Sequence, residues 1–307
     1  MVLCRKYCDV WIISKDPYKH FSTIKKETEM KNFIIAVVLI LSVSVAHAQE
    51  VAEINTILMR STFMLAGDGA TGTAFILGRL SKGDKAKAYY VLVTAAHVLT
   101  AMRGENAVLN LRKRSGDVFS KMPYSISIRR GAKPLWTQHP QADVAVMYIA
   151  LPNDIDIQLL PTDLLATDDI LKQFEIHPGD RLSCLGFPLM AEANEAGFPI
   201  LRSGHIASYP LTPMTSVKTI LFDFNVFEGN SGGPVYLTDS SGRFYNGGMH
   251  IGQVQFLMGL VSEQKFAEEQ VQSLREVRKE RYQLGLAVVI PAQFIRETLE
   301  QLQEPEH

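Results

Sequence analysis

Many short apolar segments, each closed by turn-forming residues, run through the chain from residue 61 to residue 290 and limit the fold more than any other feature. They are rich in Val, Ile, Tyr and Phe and are separated by Gly, Pro, Asp, Asn or Ser, a pattern typical of β-strands joined by turns. Their close succession predicts an all-β sandwich or barrel. The predicted strands cover residues 61–65, 72–77, 88–94, 107–111, 125–128, 144–149, 181–185, 200–208, 218–222, 233–237, 258–262 and 284–290.

Two segments have the apolar spacing of a helix instead. Residues 163–174 lie about midway along the chain, where a connection between two halves of the fold is expected. After Pro291, residues 292–303 read as a C-terminal helix, because Pro is favoured in the first turn. The apolar stripe predicts that Ile295, Leu299 and Leu302 face the body of the protein.

The highly charged segment 263–282 is also predicted to be helical. Phe266, Val271, Leu274 and Val277 are spaced like the apolar stripe of a helix. A solvated helical insertion packed on the barrel is the favoured interpretation. The alternative is a regulatory element or one that docks a partner.

The N-terminal region predicts export. Residues 30–48 combine the positive charge of Lys31, an apolar run over residues 33–45 and the small-x-small pattern Ala46-His47-Ala48, as a signal peptide does. The run is shorter than the roughly 20 apolar residues that a spanning helix needs, so no stable membrane anchor is expected after cleavage. Residues 1–29 are then an extra leader, or translation begins at Met30. The predicted mature protein, residues 49–307, is periplasmic or secreted.

Composition excludes several classes of function. The net charge of −1 gives no basic excess for nucleic acid. Cleavage after Ala48 would remove Cys4 and Cys8 and leave Cys184 alone, so no internal disulfide is expected. Cys184 lies in an apolar strand and is expected to be a buried, inert thiol rather than a nucleophile. Four histidines of the predicted mature protein lack metal-ligand spacing, namely His139, His177, His205 and His250. Neither a metal nor a cofactor is predicted.

The motif GNSGGP at residues 229–234 is the strongest chemical signal. A serine hydroxyl is a poor nucleophile unless a base takes its proton and hydrogen-bond donors stabilise the oxyanion. The glycines around Ser231 allow a tight turn in which the amides of Gly229 and Ser231 point at one spot, an oxyanion hole. The alternative is a glycine-rich hairpin turn with an incidental serine.

Two further polar residues stand at the ends of apolar strands. His97 follows the strand YYVLVTAA, and an imidazole can serve as a general base near neutral pH. Asp143 leads into the strand VAVM and can orient such a histidine. The alternatives are a structural hydrogen bond for His97 and a turn cap for Asp143.

The segments TAAHV, DVAV and GNSGGPV, in this order, resemble the chymotrypsin-like (trypsin-fold) serine peptidases, and most closely the bacterial single-domain or Deg-type branch, here without a PDZ domain. The resemblance implies two six-stranded β-barrels, at about residues 55–160 and 175–290, within one peptidase domain. It implies a serine endopeptidase that acts on proteins or peptides through an acyl-enzyme on Ser231. His97 would be the general base, Asp143 its orienting partner, and the Gly229 and Ser231 amides the oxyanion hole. The oligomeric state stays open.

The resemblance says less about specificity. It implies that Asn225, six residues before the nucleophile, lies at the base of the pocket for the residue before the cleaved bond. It also implies that Val261 and Ser262 form strand-like hydrogen bonds with the substrate. A small or apolar pocket is expected. His205 facing the cleft and reading acidic side chains is the minority alternative.

Two rival functions remain at this point. One is a catalytically silent peptidase-fold protein that acts in binding or as a scaffold, although all three triad residues are present. The other is an esterase, in which the nucleophile usually lies in a G-x-S-x-G elbow and the histidine comes last in the chain. Here the histidine comes first and the serine is followed by two glycines, an order that favours the peptidase.

Overall fold

Strands dominate the computed structural model, which describes residues 53–84, 87–272 and 277–305, without the side chains of residues 269–281. The predicted leader and signal peptide lie outside the described residues. The first half contains β1 (Thr62–Asp68), β2 (Ala70–Leu80), β3 (Ala88–Thr94), β4 (Arg103–Ser115), β5 (Val118–Ser127), β6 (Arg129–Arg130), β7 (Lys133–Pro134), β8 (Thr137–Gln138), β9 (Ala145–Tyr148) and β10 (Leu160–Pro161). The second half contains β11 (Arg181–Gly186), β12 (Ile200–Ile206), β13 (Ile220–Asp223), β14 (Pro234–Asp239), β15 (Arg243–Tyr245), β16 (Gly248–His250), β17 (Val254–Gln272) and β18 (Val277–Pro291).

Short helices lie between the strands and at the end of the described chain. They are α1 (Ile54–Ser61), α2 (Ala96–Ala101), α3 (Asp168–Gln173), α4 (Met214–Val217) and α5 (Ala292–Gln301), with 3-10 turns at Thr162–Leu164 and Pro188–Met190. The helix predicted over residues 163–174 is thus divided into a 3-10 turn and α3. Within the described residues, no helix is both long and apolar enough to cross a membrane.

The first half forms one eight-stranded sheet in the order β5-β4-β1-β2-β3-β9-β8, with β10 added in parallel to β2. Its central strand, β2, is buried without interruption from Gly72 to Leu77. The first half therefore differs from the six-stranded barrel that the resemblance implied: its end strands β5 and β8 are not paired with each other among the described residues. β8 has only two residues, and this short strand ends the sheet without a partner on its other edge.

The second half is a closed six-stranded barrel, in the order β11-β12-β13-β18-β17-β14. The strands β15 and β16 form a separate two-stranded hairpin between β14 and β17. The prediction of an all-β fold with a C-terminal helix is confirmed. As expected, Ile295, Leu299 and Leu302 are buried against the body.

The prediction of a charged helical insertion at residues 263–282 is wrong. Residues 263–272 and 277–282 form the distal parts of β17 and β18, a two-stranded ribbon. The pairing of the two strands continues from Leu260 opposite Ile290 out to Gln272 opposite Val277. The antiparallel pairing of the barrel strands extends into this ribbon, with register shifts between Val261 and Glu263 and between Gln264 and Phe266. Because Glu263 and Glu268 are exposed on this ribbon, strand structure tolerates their charge as well as a helix would.

A buried cation connects α1 to the second half. The Arg112 guanidinium lies between the rings of Phe63 and Phe198, 4.4 and 4.3 Å from their centroids, and donates to the carbonyls of Met59, Thr62 and Gly197. Burial lowers the pKa of Arg112 to about 10. Arg112 remains a cation at neutral pH, and its hydrogen bonds and ring contacts compensate for its desolvation.

Cys184 is a buried residue of β11, as predicted. Burial raises the pKa of its thiol to about 12, although Arg202 nearby acts in the opposite direction. A thiol with so high a pKa forms almost no thiolate at neutral pH, so Cys184 is unsuited to nucleophilic chemistry.

Candidate active site

His97 and Asp143 are joined by two hydrogen bonds. His97 is the second residue of α2, which begins directly after β3, and Asp143 lies in the loop between β8 and β9. The His97 Nδ1 donates to Asp143 Oδ2 at 2.6 Å, and the His97 amide donates to Asp143 Oδ1 at 2.9 Å. Because the carboxylate holds both the ring and the backbone of His97, the Nε2 atom is left as the basic nitrogen.

The C-terminal helix steadies the loop that carries Asp143. His139, at the start of this loop, is buried; its Nε2 donates to Glu297 of α5 at 3.1 Å, and its Nδ1 accepts the Gln141 amide at 3.1 Å. The ring also packs edge-on against Phe294 of the same helix, with centroids 5.0 Å apart. Both ring nitrogens of His139 therefore form hydrogen bonds that hold this loop in place.

A third hydrogen bond reaches Asp143 from Ser262 of β17. The Ser262 hydroxyl donates to Asp143 Oδ2 at 2.5 Å. Burial by itself raises the pKa of the Asp143 carboxyl, but the hydrogen bonds from His97 and Ser262 outweigh burial, so its pKa lies below the ordinary value. Asp143 is therefore ionised at neutral pH.

The predicted nucleophile loop, residues 229–233 with Ser231 at its centre, is fixed between the two halves of the fold. On one side, the Thr73 amide of β2 donates to the Ser231 carbonyl at 2.8 Å, and the Thr73 hydroxyl donates to the Gly229 carbonyl at 2.6 Å. On the other side, the Gly232 amide donates to the Val261 carbonyl of β17 at 2.7 Å. The position of Ser231 relative to His97 therefore depends on contacts from both the sheet and the barrel.

Two glycines of the motif are required by geometry. Gly229 and Gly232 have φ values of +93° and +88°, in the left-handed region that favours glycine. A Cβ atom on Gly229 would lie 2.2 Å from the Phe187 carbonyl oxygen, and one on Gly232 would lie 2.1 Å from the Thr73 carbonyl oxygen. Only glycine permits this close approach of the backbone.

The predicted oxyanion hole consists of the Gly229 and Ser231 amides. Neither the Gly229 amide nor the Ser231 amide donates a hydrogen bond to another described residue. Both amides are thus available to an incoming oxyanion, in the turn that the positive φ of Gly229 creates. Their role stays a prediction.

Ser262 lies between the carboxylate and the nucleophile. The Ser231 hydroxyl donates to the Ser262 carbonyl at 2.9 Å, while the Ser262 hydroxyl holds Asp143. No hydrogen bond joins Ser231 Oγ to the ring of His97 among the described residues. The structure therefore brings His97, Asp143 and Ser231 together around one residue, with the Ser231 hydroxyl turned to the Ser262 carbonyl.

The predicted substrate-binding residues differ in their placement. The amide and carbonyl of Val261 are both bonded to the nucleophile loop, at Gly233 and Gly232, and are not available to a substrate. Ser262 is the next residue of β17 and borders the site. Asn225 is exposed, and a Cβ atom on Gly285 of β18 would lie 3.4 Å from its Oδ1. Asn225 therefore lies beside β18, in the segment between the end of β13 and the nucleophile loop.

The structure does not bring His205 to the site. His205 is exposed near the end of β12, opposite Arg181 and Asp223. The active-site end of β12 is Ile200, whose partner Gly186 packs against Asn230. Five residues of strand span about 16 Å, so His205 lies toward the opposite end of β12 from the residue pair that contacts Asn230.

Two contributions were missed from the sequence. Nothing in the segment GTAF marks Thr73 as the residue that holds the nucleophile loop, and nothing marks the Ser262 hydroxyl as a ligand of Asp143. Both contacts join residues more than a hundred positions apart in the sequence. Only the tertiary structure therefore reveals them. In the described part of the chain, no group of three or more His, Cys, Asp or Glu side chains is placed to hold a metal ion.

Replacing Ser262 with alanine is expected to lower kcat/KM about 10- to 100-fold, the usual effect of losing a hydrogen bond to a charged group. Because that bond helps to keep the pKa of Asp143 low, the acidic limb of the pH–activity profile should also move to higher pH. Ser203→Ala, an exposed serine on β12, is the matched control. An unchanged acidic limb in Ser262→Ala would contradict a positioning role.

The sequence matches the family model of the trypsin-like peptidase domain over residues 72–245. No curated protein matches it significantly. Solved structures similar to it include two of Rv3671c from M. tuberculosis H37Rv in an inactive form. They are 15% and 16% identical, have TM-scores of 0.42 and 0.40, and cover 85% and 81% of this chain and 96% and 92% of their own. The protease Anisep from Arthrobacter nicotinovorans is 14% identical over 80% of this chain and 96% of its own, with a TM-score of 0.44.

The family match extends from β2 through the nucleophile loop and includes His97, Asp143 and Ser231. It covers more than half of the chain. The chain belongs to the trypsin-like peptidase family.

Proposed function

We propose that the protein is a serine endopeptidase that cleaves peptide bonds through an acyl-enzyme on Ser231. The observation that carries the proposal is the hydrogen-bonded series from His97 through Asp143 and Ser262 to Ser231. An imidazole held by an ionised carboxylate, beside a hydroxyl in a glycine turn, is the arrangement that acyl transfer needs.

The first step is the attack of Ser231 on a peptide carbonyl carbon. His97 Nε2 takes the hydroxyl proton as the Ser231 Oγ–carbon bond forms, and the ionised Asp143 stabilises the resulting imidazolium. The carbonyl oxygen becomes an oxyanion, which the amides of Gly229 and Ser231 stabilise. His97 then gives the proton to the amine as the carbon–nitrogen bond breaks. Water, activated by His97 in turn, releases the acyl group from Ser231.

Attack requires the Ser231 hydroxyl to exchange its hydrogen-bond acceptor. It must turn from the Ser262 carbonyl toward His97 Nε2, a rotation about its Cα–Cβ bond. Catalytic hydrogen bonds often become aligned only when substrate binds. A substrate amide that bonds to the Ser262 carbonyl would displace the hydroxyl and favour that rotation.

The test of the proposal is proteolysis by the purified protein. We expect it to cleave a mixture of synthetic peptides at internal bonds, with the new termini identified by mass spectrometry. Cleavage that is insensitive to a serine-directed phosphonate would contradict the proposal. Tight peptide binding without cleavage would instead favour the silent binding or scaffold protein.

Export is part of the same proposal. It is supported by the charge, apolar run and small-x-small pattern of residues 30–48. We expect the protein isolated from outside the cytoplasm to begin at Gln49, as mass spectrometry of its N-terminal peptide would reveal, with Gln49 free or cyclised to pyroglutamate. A cell-associated protein that retains residues 30–48 would contradict export by cleavage.

A further inference from the structure

Arg202 carries a positive charge that is half-buried and has no counter-ion among the described residues. It lies on β12 opposite Cys184. Along this strand the alternate residues Gly204 and Ile206 are buried while Ser203 is exposed, so Arg202 is on the inner side of the barrel wall. No carboxylate of the described residues lies within 4 Å of its guanidinium, and no described acceptor bonds to it.

Two aromatic rings are the described contacts of the guanidinium. Its Cζ atom lies 5.5 Å from the centroid of Phe224 and 5.4 Å from that of Phe227. Such cation–π contacts are worth about 0.5–2 kcal/mol, which is small beside the cost of desolvating an unpaired charge. Arg112 differs in this respect, because several carbonyls surround its guanidinium. The guanidinium of Arg202, half-buried and without described acceptors, can therefore bind an anionic group of a ligand.

The rings place this charge next to the reacting groups. Phe227 begins the turn that leads to the nucleophile, since the Asn230 amide donates to the Phe227 carbonyl at 3.1 Å. Gly229 and Ser231, whose amides form the proposed oxyanion hole, lie within the next four residues. If these amides hold the carbonyl of the cleaved bond, the side chain of the substrate residue before that bond would lie near Phe227 and hence near Arg202.

The pairing of β17 with β18 is irregular near the same segment. Between Gln264 and Phe266, β17 advances two residues while β18 advances four, from Ala287 to Gln283. The extra residues include Gly285, with φ +72°, which faces Asn225. This irregularity therefore lies beside Asn225, six residues before Ser231.

We infer that Arg202 is a specificity-determining residue that receives an acidic side chain, glutamate or aspartate, at the residue before the cleaved bond. The inference rests on the proposed peptidase function. A guanidinium binds a carboxylate through two parallel hydrogen bonds, whereas a neutral amide or an apolar chain leaves its donors unsatisfied. The acidic preference considered for His205 is thus assigned to Arg202, and Asn225 serves at the rim.

The test uses four fluorogenic peptides that differ only in having Glu, Gln, Leu or Lys before the cleaved bond. We expect the wild-type protein to cleave the Glu peptide about 10- to 100-fold faster in kcat/KM than the isosteric Gln peptide. In Arg202→Met this ratio should fall close to one. In Arg202→Lys, which keeps the charge but not the paired donors, the ratio should be intermediate.

The matched control is Arg181→Met, since Arg181 is an exposed arginine of the same barrel that donates to Ser203. Its Glu-to-Gln ratio should equal that of the wild type. Thermal unfolding checks each variant. If Arg202→Met does not fold, the wild-type protein still decides the matter through competitive inhibition: product peptides ending in Glu should inhibit at least tenfold more strongly than those ending in Gln.

The outcomes separate this inference from the proposed function. Cleavage without a preference for Glu over Gln, or a preference that survives in Arg202→Met, overturns the role of Arg202 and leaves the peptidase standing. Failure to cleave any of the four peptides, together with no phosphonate labelling of Ser231, overturns the proposed function and the inference with it.

Discussion

Replacing Ser231 with alanine is expected to lower kcat by a factor on the order of 10⁵ to 10⁶, the effect of removing the nucleophile from a triad that acts as a unit. The hydroxyl makes one hydrogen bond, to the Ser262 carbonyl. Its loss leaves the Thr73 and Gly232 bonds of the loop in place, so thermal stability should change little. Steady-state cleavage of a fluorogenic peptide and a thermal unfolding curve measure both effects.

Ser203→Ala is the control for Ser231→Ala, because it removes a hydroxyl from the same barrel at an exposed position, on the face of β12 opposite to Arg202. Its kcat should match that of the wild type. Cleavage by Ser231→Ala within tenfold of the wild-type rate would show that another group is the nucleophile. Such a result would remove the basis of the proposed mechanism.

Changing Asp143 to asparagine is expected to lower kcat about 10⁴-fold at neutral pH. Asparagine keeps the shape of the side chain but loses the charge that stabilises the imidazolium. Its amide group can also donate to His97 Nδ1, which favours the wrong tautomer. Wild-type and Asp143→Asn rates on one peptide, compared from neutral to alkaline pH, measure the loss. A loss of less than tenfold would contradict the orienting role of Asp143.

The ionisation of Asp143 also affects stability. Its pKa is lower in the folded protein than in the unfolded chain, so the ionised carboxylate adds stability above the unfolded pKa. That contribution is lost as the pH falls through the folded value. The difference in free energy of unfolding between the wild type and Asp143→Asn should therefore shrink on acidification below the usual range of aspartate. Urea titrations at several pH values provide this difference.

The sequence predicted much of the fold because local patterns and tertiary structure agree there. The strand at residues 88–94 was predicted with its observed bounds, and the apolar face of the C-terminal helix is buried as its spacing indicated. Even so, His97 was assigned to a strand end, whereas it lies in the first turn of α2. The strand ends at Thr94, and after the single residue Ala95 the helix begins at Ala96.

The charged ribbon shows where periodicity fails. Spacing between apolar residues identifies a helix only when one face is buried, and a two-stranded ribbon that extends from a barrel need not bury either face. Phe266, read as part of a helical stripe, is exposed on β17. The pairing of β17 with β18 that begins in the barrel, and not the local spacing, determines the structure of the segments beyond Leu260 and Ile290.

Contacts within the site depend on tertiary structure and were not evident from local pattern. The motif identified Ser231 and its glycines, but Ser262 and Thr73 reach the site only when the sheet and barrel meet. Arg202 is similar: in the sequence it is one charge in an ordinary strand. Only the structure shows that Arg202 lies on the inner face of β12, against Phe224 and Phe227, and has no acceptor among the described residues.

The most direct test of the central claim is labelling of the purified protein with a fluorophosphonate, followed by peptide mapping. The mechanism predicts one modified residue, Ser231, with labelling that falls at least 100-fold in His97→Ala, because phosphonylation needs the imidazole to take the hydroxyl proton. Labelling at the wild-type rate in His97→Ala, or modification of a different serine in the wild type, would contradict it.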